Sequence, residues 1–92
     1  MLKHIVVWTM KSETTAAQKL EMKTRLEALA GVISGLRKIE VGIDAGNGTM
    51  SLYSEFVSED DLIAYQMHPD HQAVVGFVKP LVAGRSVCDY EC

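Results

Sequence analysis

Residues 36–57 read LRKIEVGIDAGNGTMSLYSEFV and have the pattern of a β-hairpin. In the first half of this stretch, polar and apolar side chains alternate with a period of two, which is typical of a strand with one buried face. The apolar set is Ile39, Val41 and Ile43. Gly46-Asn47-Gly48 supplies residue types that tolerate the positive φ of a tight turn. We therefore predict strands over 36–44 and 49–57.

The residues before the hairpin predict a strand followed by a helix. Residues 2–10, LKHIVVWTM, are rich in β-branched and aromatic side chains, and the centre of this strand would be apolar on both faces. Thr15 and Gln18 fit a capping box, which marks a helix start. Gly35 is a natural helix stop. Between them, apolar residues recur at helical spacing: Leu20, Met22, Leu26, Leu29, Val32 and Ile33.

The residues after the hairpin predict a helical region in two pieces. Ser58 starts the first piece as a cap, with acidic residues behind it. His68-Pro69 interrupts the helix, because a residue before proline avoids the α conformation whereas proline suits the first position of a new helix. His68 is therefore expected to cap a helix over 69–82, with Pro80 inside it. A last strand follows over 85–91.

The order of elements is β-α-β-β-α-β, which predicts a single α+β domain over residues 1–92. It fits a ferredoxin-like sandwich, in which one four-stranded antiparallel sheet carries its helices on one face. The other sheet face then has no cover, although strand 2–10 is largely apolar on both faces. Because a monomer rarely leaves such a face in water, we expect a homodimer that closes into a dimeric α+β barrel.

Charge and hydropathy exclude several classes of partner. Nine basic against twelve acidic residues give a net charge of −3, so no basic face for nucleic acid or an anionic membrane surface is expected. The apolar run 5–8 is too short for a signal peptide. No stretch approaches the roughly 20 apolar residues of a membrane span.

The two cysteines favour a reducing compartment. Cys88 and Cys92 lie four residues apart in a predicted strand, and at about 3.3 Å per residue they are about 13 Å apart. That distance is beyond disulfide reach within one chain. We expect reduced thiols and a cytoplasmic location; an intermolecular bridge through Cys92 is the alternative.

Residues 65–71, YQMHPDH, hold the densest group of reactive side chains. If Pro69 starts a helix, His71 lies in its first turn, where the helix dipole disfavours a positive charge and keeps imidazole neutral. Tyr65 ends the preceding helix and can fold back beside His71. Neutral histidine accepts a proton and a phenol donates a hydrogen bond to a carbonyl or enolate oxygen, so the pair would suit enolisation, aldol-type closure or dehydration.

The same residues also allow a purely structural interpretation. In it His68 is a cap, His71 packs under a helix start, and Tyr65 is a core residue with its hydroxyl at the surface. His4 shares a strand face with Trp8, and it is either structural or part of the wall of the same cavity. His4, His68 and Trp8 are the candidate ligand contacts. The H-x-x-H spacing lacks further metal ligands, and no glycine-rich nucleotide loop precedes a helix, so no metal and no cofactor are expected.

Four segments together resemble the stress-responsive dimeric α/β barrel (Dabb) domain family. They are KHIVV at 3–7, IEVG at 39–42, YQMHPDH at 65–71 and VCDYE at 87–91. The resemblance covers nearly the whole chain and implies a ferredoxin-like fold that dimerises through its sheets into a barrel. Most of the family has no assigned reaction.

One plant branch of that family, the olivetolic acid cyclases, consists of polyketide cyclases with a tyrosine and a histidine six residues apart. Tyr65 and His71 match that pair, and His4 matches a histidine of the first strand. We therefore expect a protein of unassigned activity that binds a small organic carbonyl ligand near Tyr65 and His71. The alternatives are a cofactor-independent cyclase or lyase, with His71 as general base and Tyr65 orienting the carbonyl, and a structural dimerisation module.

Overall fold

The protein, described here over all 92 residues by a computed structural model, has one four-stranded antiparallel sheet and three helices. The elements are β1 (Leu2–Met10), α1 (Ala16–Glu27), β2 (Leu36–Asp44), β3 (Thr49–Phe56), α2 (Glu59–Met67), α3 (Pro69–Val78) and β4 (Val82–Glu91). The strand order is β2-β3-β1-β4. The predicted ferredoxin-like α+β fold is confirmed.

The two faces of the sheet differ sharply in burial. On β1, the alternate residues from Leu2 to Met10, which include His4 and Trp8, are all buried. The apolar ones among them join a core of 18 apolar side chains contributed by sheet and helices. The opposite face carries Ile5 and Val7, and Val7 is 43% exposed. The helices therefore cover one face only, and His4 lies on the covered side.

Local hydrogen bonds explain where the helices begin. The Thr15 hydroxyl accepts from the Gln18 amide at 3.1 Å and the Gln18 side chain accepts from the Thr15 amide at 2.9 Å, which is the predicted capping box. Ser58 accepts from the amide of Asp61 at 3.3 Å. His68 Nδ1 accepts from the amide of Asp70 at 3.1 Å, so the predicted break between the second and third helices is confirmed.

The first helix is shorter than the sequence suggested. It ends at Glu27, and residues 28–35 form turns, with φ of 81° at Gly31 and 86° at Gly35. Leu20 and Val32, placed in the core by the apolar spacing, are 58% and 56% exposed. Val32 lies beyond the end of α1, so the 3.6-residue period of a helix no longer predicts which way its side chain points. Gly35 closes the turn, where a Cβ would come within 2.5 Å of the Asp61 side chain.

The third helix also ends early, at Val78 instead of residue 82. Pro80 has no amide hydrogen to donate to the carbonyl four residues back, so the chain tightens into a 3₁₀ turn over Lys79–Leu81. The last strand consequently starts at Val82, three residues before its predicted start. Separately, β3 ends at Phe56, one residue before its predicted end.

Candidate functional site

A cavity of about 440 Å³ lies between the covered sheet face and α3. Nine of its 14 lining residues are hydrophobic. This volume lies within the range of small-molecule sites, which begins at roughly 300 Å³. The titratable groups in its wall are His4, Tyr65, His71, Lys79 and Arg85.

Tyr65 and His71 lie side by side in this wall. The His68-Pro69 break turns the chain between α2 and α3, and the two ring centroids are 4.3 Å apart at an interplanar angle of 45°. The two side chains come from the end of one helix and the start of the next, so a single sharp turn is enough to bring them together.

The hydrogen bonding of His71 defines its tautomer. Its Nδ1 lies 3.2 Å from the backbone carbonyl oxygen of Gln66. Because a carbonyl oxygen only accepts, Nδ1 carries the hydrogen and Nε2 of the neutral ring keeps a free lone pair. Burial lowers the pKa of His71, and the positive charge of nearby Arg85 acts in the same direction. His71 is therefore a neutral proton acceptor near pH 7.

Tyr65 is a protonated donor at the same place. The side chain is 1% exposed and packs against Phe56 at a centroid distance of 5.0 Å. Burial raises the pKa of Tyr65 to about 12, so the phenol stays protonated at neutral pH. Its hydroxyl makes no hydrogen bond within the protein. Every fully buried side-chain nitrogen or oxygen does make one, so the Tyr65 hydroxyl is not fully buried. The hydroxyl is therefore accessible from the cavity, where it can donate to a ligand.

His4 forms a pair with Asp89 that sequence reasoning missed. The β1–β4 register places Asp89 opposite His4, and the Asp89 carboxylate accepts from His4 Nδ1 at 2.5 Å. This bond fixes the orientation of the His4 ring in the cavity wall. The residues are 85 positions apart in the chain, so only the register of the strands could have indicated the pair.

Four of the five predicted site residues line the cavity, namely Tyr65, His71, His4 and Trp8. His68 does not line it, because its ring is used to cap α3. Sequence reasoning also missed Lys79 and Arg85, which have no motif around them; Arg85 is found only through its register position opposite Trp8.

No group of three or more histidine, cysteine, aspartate or glutamate side chains is placed to hold a metal ion. None of the helices combines the length and the apolar character needed to cross a membrane. Cys88 and Cys92 are both free and exposed.

Together, the fold and the site define a class: a ferredoxin-like α+β domain with an apolar cavity under its helices and a Tyr–His pair in the cavity wall. The particular family follows from the sequence, which matches the Dabb family, the stress responsive A/B barrel domain, over residues 2–92. The chain belongs to this family, and the resemblance noted in the sequence is confirmed. No curated protein matches the chain significantly.

Solved structures share the fold over the whole chain. A dimeric protein of unknown function from Bacteroides fragilis is 36% identical, with a TM-score of 0.85 over 99% of this chain and 95% of that one. A dimeric ferredoxin-like protein of unknown function from Thermobifida fusca is 28% identical, with a TM-score of 0.88 over 99% and 90% of the chains.

A third structure comes from Nitrosomonas europaea and is provisionally named an antibiotic biosynthesis monooxygenase. It has a TM-score of 0.86 over 100% of this chain and 98% of that one. At 19% identity this likeness shows the fold alone.

Proposed function

We propose that the cavity binds a small organic carbonyl compound, with the Tyr65 hydroxyl donating to the carbonyl oxygen. The observation that carries this proposal is the pair of Tyr65 and His71, whose rings lie 4.3 Å apart in the wall of one cavity of about 440 Å³. The Tyr65 hydroxyl and His71 Nε2 both lack a hydrogen-bond partner within the protein. An apolar wall with few polar groups is typical of a site that encloses an organic body and orients it at one end.

A second candidate function is acid–base catalysis on the bound carbonyl compound, and the tautomer of His71 favours it. Nε2 would remove a proton from the carbon next to the carbonyl, so that a C–H bond breaks and an N–H bond forms. The electron pair moves to the carbonyl oxygen, and the developing enolate accepts a hydrogen bond from Tyr65. Return of the proton to carbon completes an exchange. In an aldol-type closure the enolate carbon instead attacks a second carbonyl, a C–C bond forms as the C=O π bond breaks, and the resulting alkoxide takes the proton held on Nε2.

Binding can be tested with 4-phenylbutan-2-one, a neutral ketone of suitable size. We expect saturable NMR shifts at the cavity residues of the wild-type protein. Val75→Trp, which fills the cavity, should remove these shifts, whereas Val57→Trp at an exposed position outside the cavity should keep them. Tyr65→Phe should weaken binding by about 3- to 10-fold, corresponding to one hydrogen bond.

Two outcomes would contradict the binding proposal. Shifts that persist in Val75→Trp would place the ketone elsewhere on the protein. An absence of saturable shifts in the wild type would favour the structural dimerisation module.

We also propose that the protein is a homodimer joined through the uncovered sheet face. Ile5 and Val7 of β1 lie on that face together with Tyr53 of β3. An apolar patch in the centre of a sheet favours burial against a second copy. The relatives from Bacteroides fragilis and Thermobifida fusca are described as dimeric, which supports the proposal. The cytoplasmic location remains a prediction from the sequence.

A charge on the uncovered face should separate the subunits. Light scattering should give about twice the chain mass of 10.1 kDa for the wild type, and Val7→Glu should lower it to that of one chain, because association would bury an unpaired carboxylate. Val32→Glu is the matched control, since Val32 is also an exposed valine but lies in the turns between α1 and β2, outside the sheet. A wild-type mass of one chain at micromolar concentration would refute the dimer.

A further inference from the structure

The charged residues of the cavity all have one sign. Lys79 and Arg85 line it, and no aspartate or glutamate does. The chain as a whole has the opposite balance, with twelve acidic and nine basic residues. Asp89 bonds to His4 of the wall but does not itself line the cavity. The charged side chains that line the cavity therefore attract anions locally.

Arg85 is exposed to solvent, and it also lines the cavity from the last strand. In the β1–β4 register it pairs with Trp8, so it lies on the helix-covered side of the sheet and not on the open side. Neither Arg85 nor Lys79 takes part in an ion pair; the pairs of this protein use the N-terminus, Lys3, His4, Lys23, Arg25 and His68. Two uncommitted cations from different elements thus meet at one cavity.

We infer that the ligand of this cavity is an organic carboxylate, whose apolar body fills the cavity while Arg85 and Lys79 bind its carboxylate. This inference rests on the proposed binding function and adds the chemical class of the ligand. A planar guanidinium matches a carboxylate with two parallel hydrogen bonds. The carbonyl oriented by Tyr65 and the carboxylate bound by Arg85 would belong to one keto acid.

The surroundings favour a carboxylate over a phosphate. Lys79 is the C-terminal cap of α3, where the helix dipole is negative, so this end of the helix adds no attraction for a dianion. The wall of the cavity is also mostly hydrophobic. The positive field of Arg85 acts on His71 as well, since it contributes to the lowered pKa of that ring, which places the carboxylate site within electrostatic range of the proton acceptor.

The test compares 4-oxo-4-phenylbutanoate with its neutral amide, 4-oxo-4-phenylbutanamide, on the full-length protein by calorimetry. We expect the acid to bind about 10-fold or more tightly than the amide, as is typical of a charge-assisted hydrogen bond. Arg85→Gln should reduce this preference to about 2-fold or less without changing the affinity for the amide. Lys79→Gln should reduce it in part, and Arg37→Gln, which removes an exposed cation that does not line the cavity, should leave it intact.

The outcomes separate this inference from the proposed function. Equal affinities for acid and amide in the wild type would overturn the carboxylate site while leaving ketone binding in place. The carboxylate site would also be overturned, with ketone binding kept, if neither the acid nor the amide binds but 4-phenylbutan-2-one does. Loss of both affinities in Arg85→Gln would assign Arg85 a structural role and overturn the inference. Tighter binding of 3-phenylpropylphosphonate than of the acid would replace the carboxylate by a phosphorylated ligand.

Discussion

Replacing His71 by glutamine is expected to lower the rate of α-proton exchange in bound 4-phenylbutan-2-one by about 10²- to 10⁴-fold, the usual contribution of a general base. Glutamine retains a donor for the Gln66 carbonyl, but it has no basic nitrogen to replace Nε2. Affinity for the ketone should change by less than about 3-fold, because the proton is transferred only in the transition state. Deuterium incorporation in D₂O, followed by NMR at saturating ketone, measures the rate.

Gln72→Ala is the matched control for this experiment. The Gln72 side chain donates to the same Gln66 carbonyl at 2.7 Å but carries no proton acceptor that could act as a base. We expect the Gln72→Ala variant to catalyse exchange of the α-protons of the ketone at close to the wild-type rate. Unchanged exchange in His71→Gln would rule out His71 as the base and leave only the binding function.

The pH dependence of exchange gives a second readout of the same group. The base is the neutral form of His71, and burial lowers the pKa of this ring below its ordinary value of 6.5. The rate should therefore rise with pH through an inflection below 6.5 and then stay level. Tyr65, whose pKa is raised by burial to about 12, keeps its proton over this whole range. An inflection above 6.5 would contradict the assignment.

Phe56→Ala is expected to lower the free energy of unfolding by about 3–5 kcal/mol, as is usual for removing a buried aromatic ring. Phe56 is fully buried, with its ring 5.0 Å from Tyr65 and 6.3 Å from His4. Small domains have only about 5–15 kcal/mol of stability in total, so this loss is a large fraction. The shift of the urea midpoint, at an unchanged slope and one fixed protein concentration, measures it, since the unfolding of a homodimer depends on concentration.

Val57→Ala provides the comparison from the next position in the chain. Val57 is 48% exposed, so its truncation should cost less than about 0.5 kcal/mol.

Phe56→Leu, which loses less volume, should stay folded and bind 4-phenylbutan-2-one more weakly, since Phe56 supports the Tyr65 ring. A loss below about 1 kcal/mol in Phe56→Ala would mean that the core behind the site is not packed as described.

The sequence could predict those parts of the fold that depend on neighbouring residues. The caps at Thr15, Ser58 and His68 are hydrogen bonds between residues two or three positions apart. The alternation in β2 and β3 depends only on the period of a strand. Tyr65 and His71 belong with these features, because a single turn between two helices brings them together. The predicted ends of α1 and α3 were wrong for different reasons. Apolar spacing continues past the end of α1, and Pro80 tightens the end of α3 into a 3₁₀ turn.

Only the tertiary structure decided the composition of the cavity. Asp89 reaches His4, and Arg85 reaches the cavity beside Trp8, through the pairing of the first and last strands. Period-two patterns show which residues of a strand share a face, but they do not show which residue of another strand lies opposite. Local patterns thus determined the elements, their order and the Tyr–His pair. Strand register and the packing of α3 on the sheet determined the His4–Asp89 pair, the cations of the wall and the cavity itself, because these contacts join residues far apart in the chain.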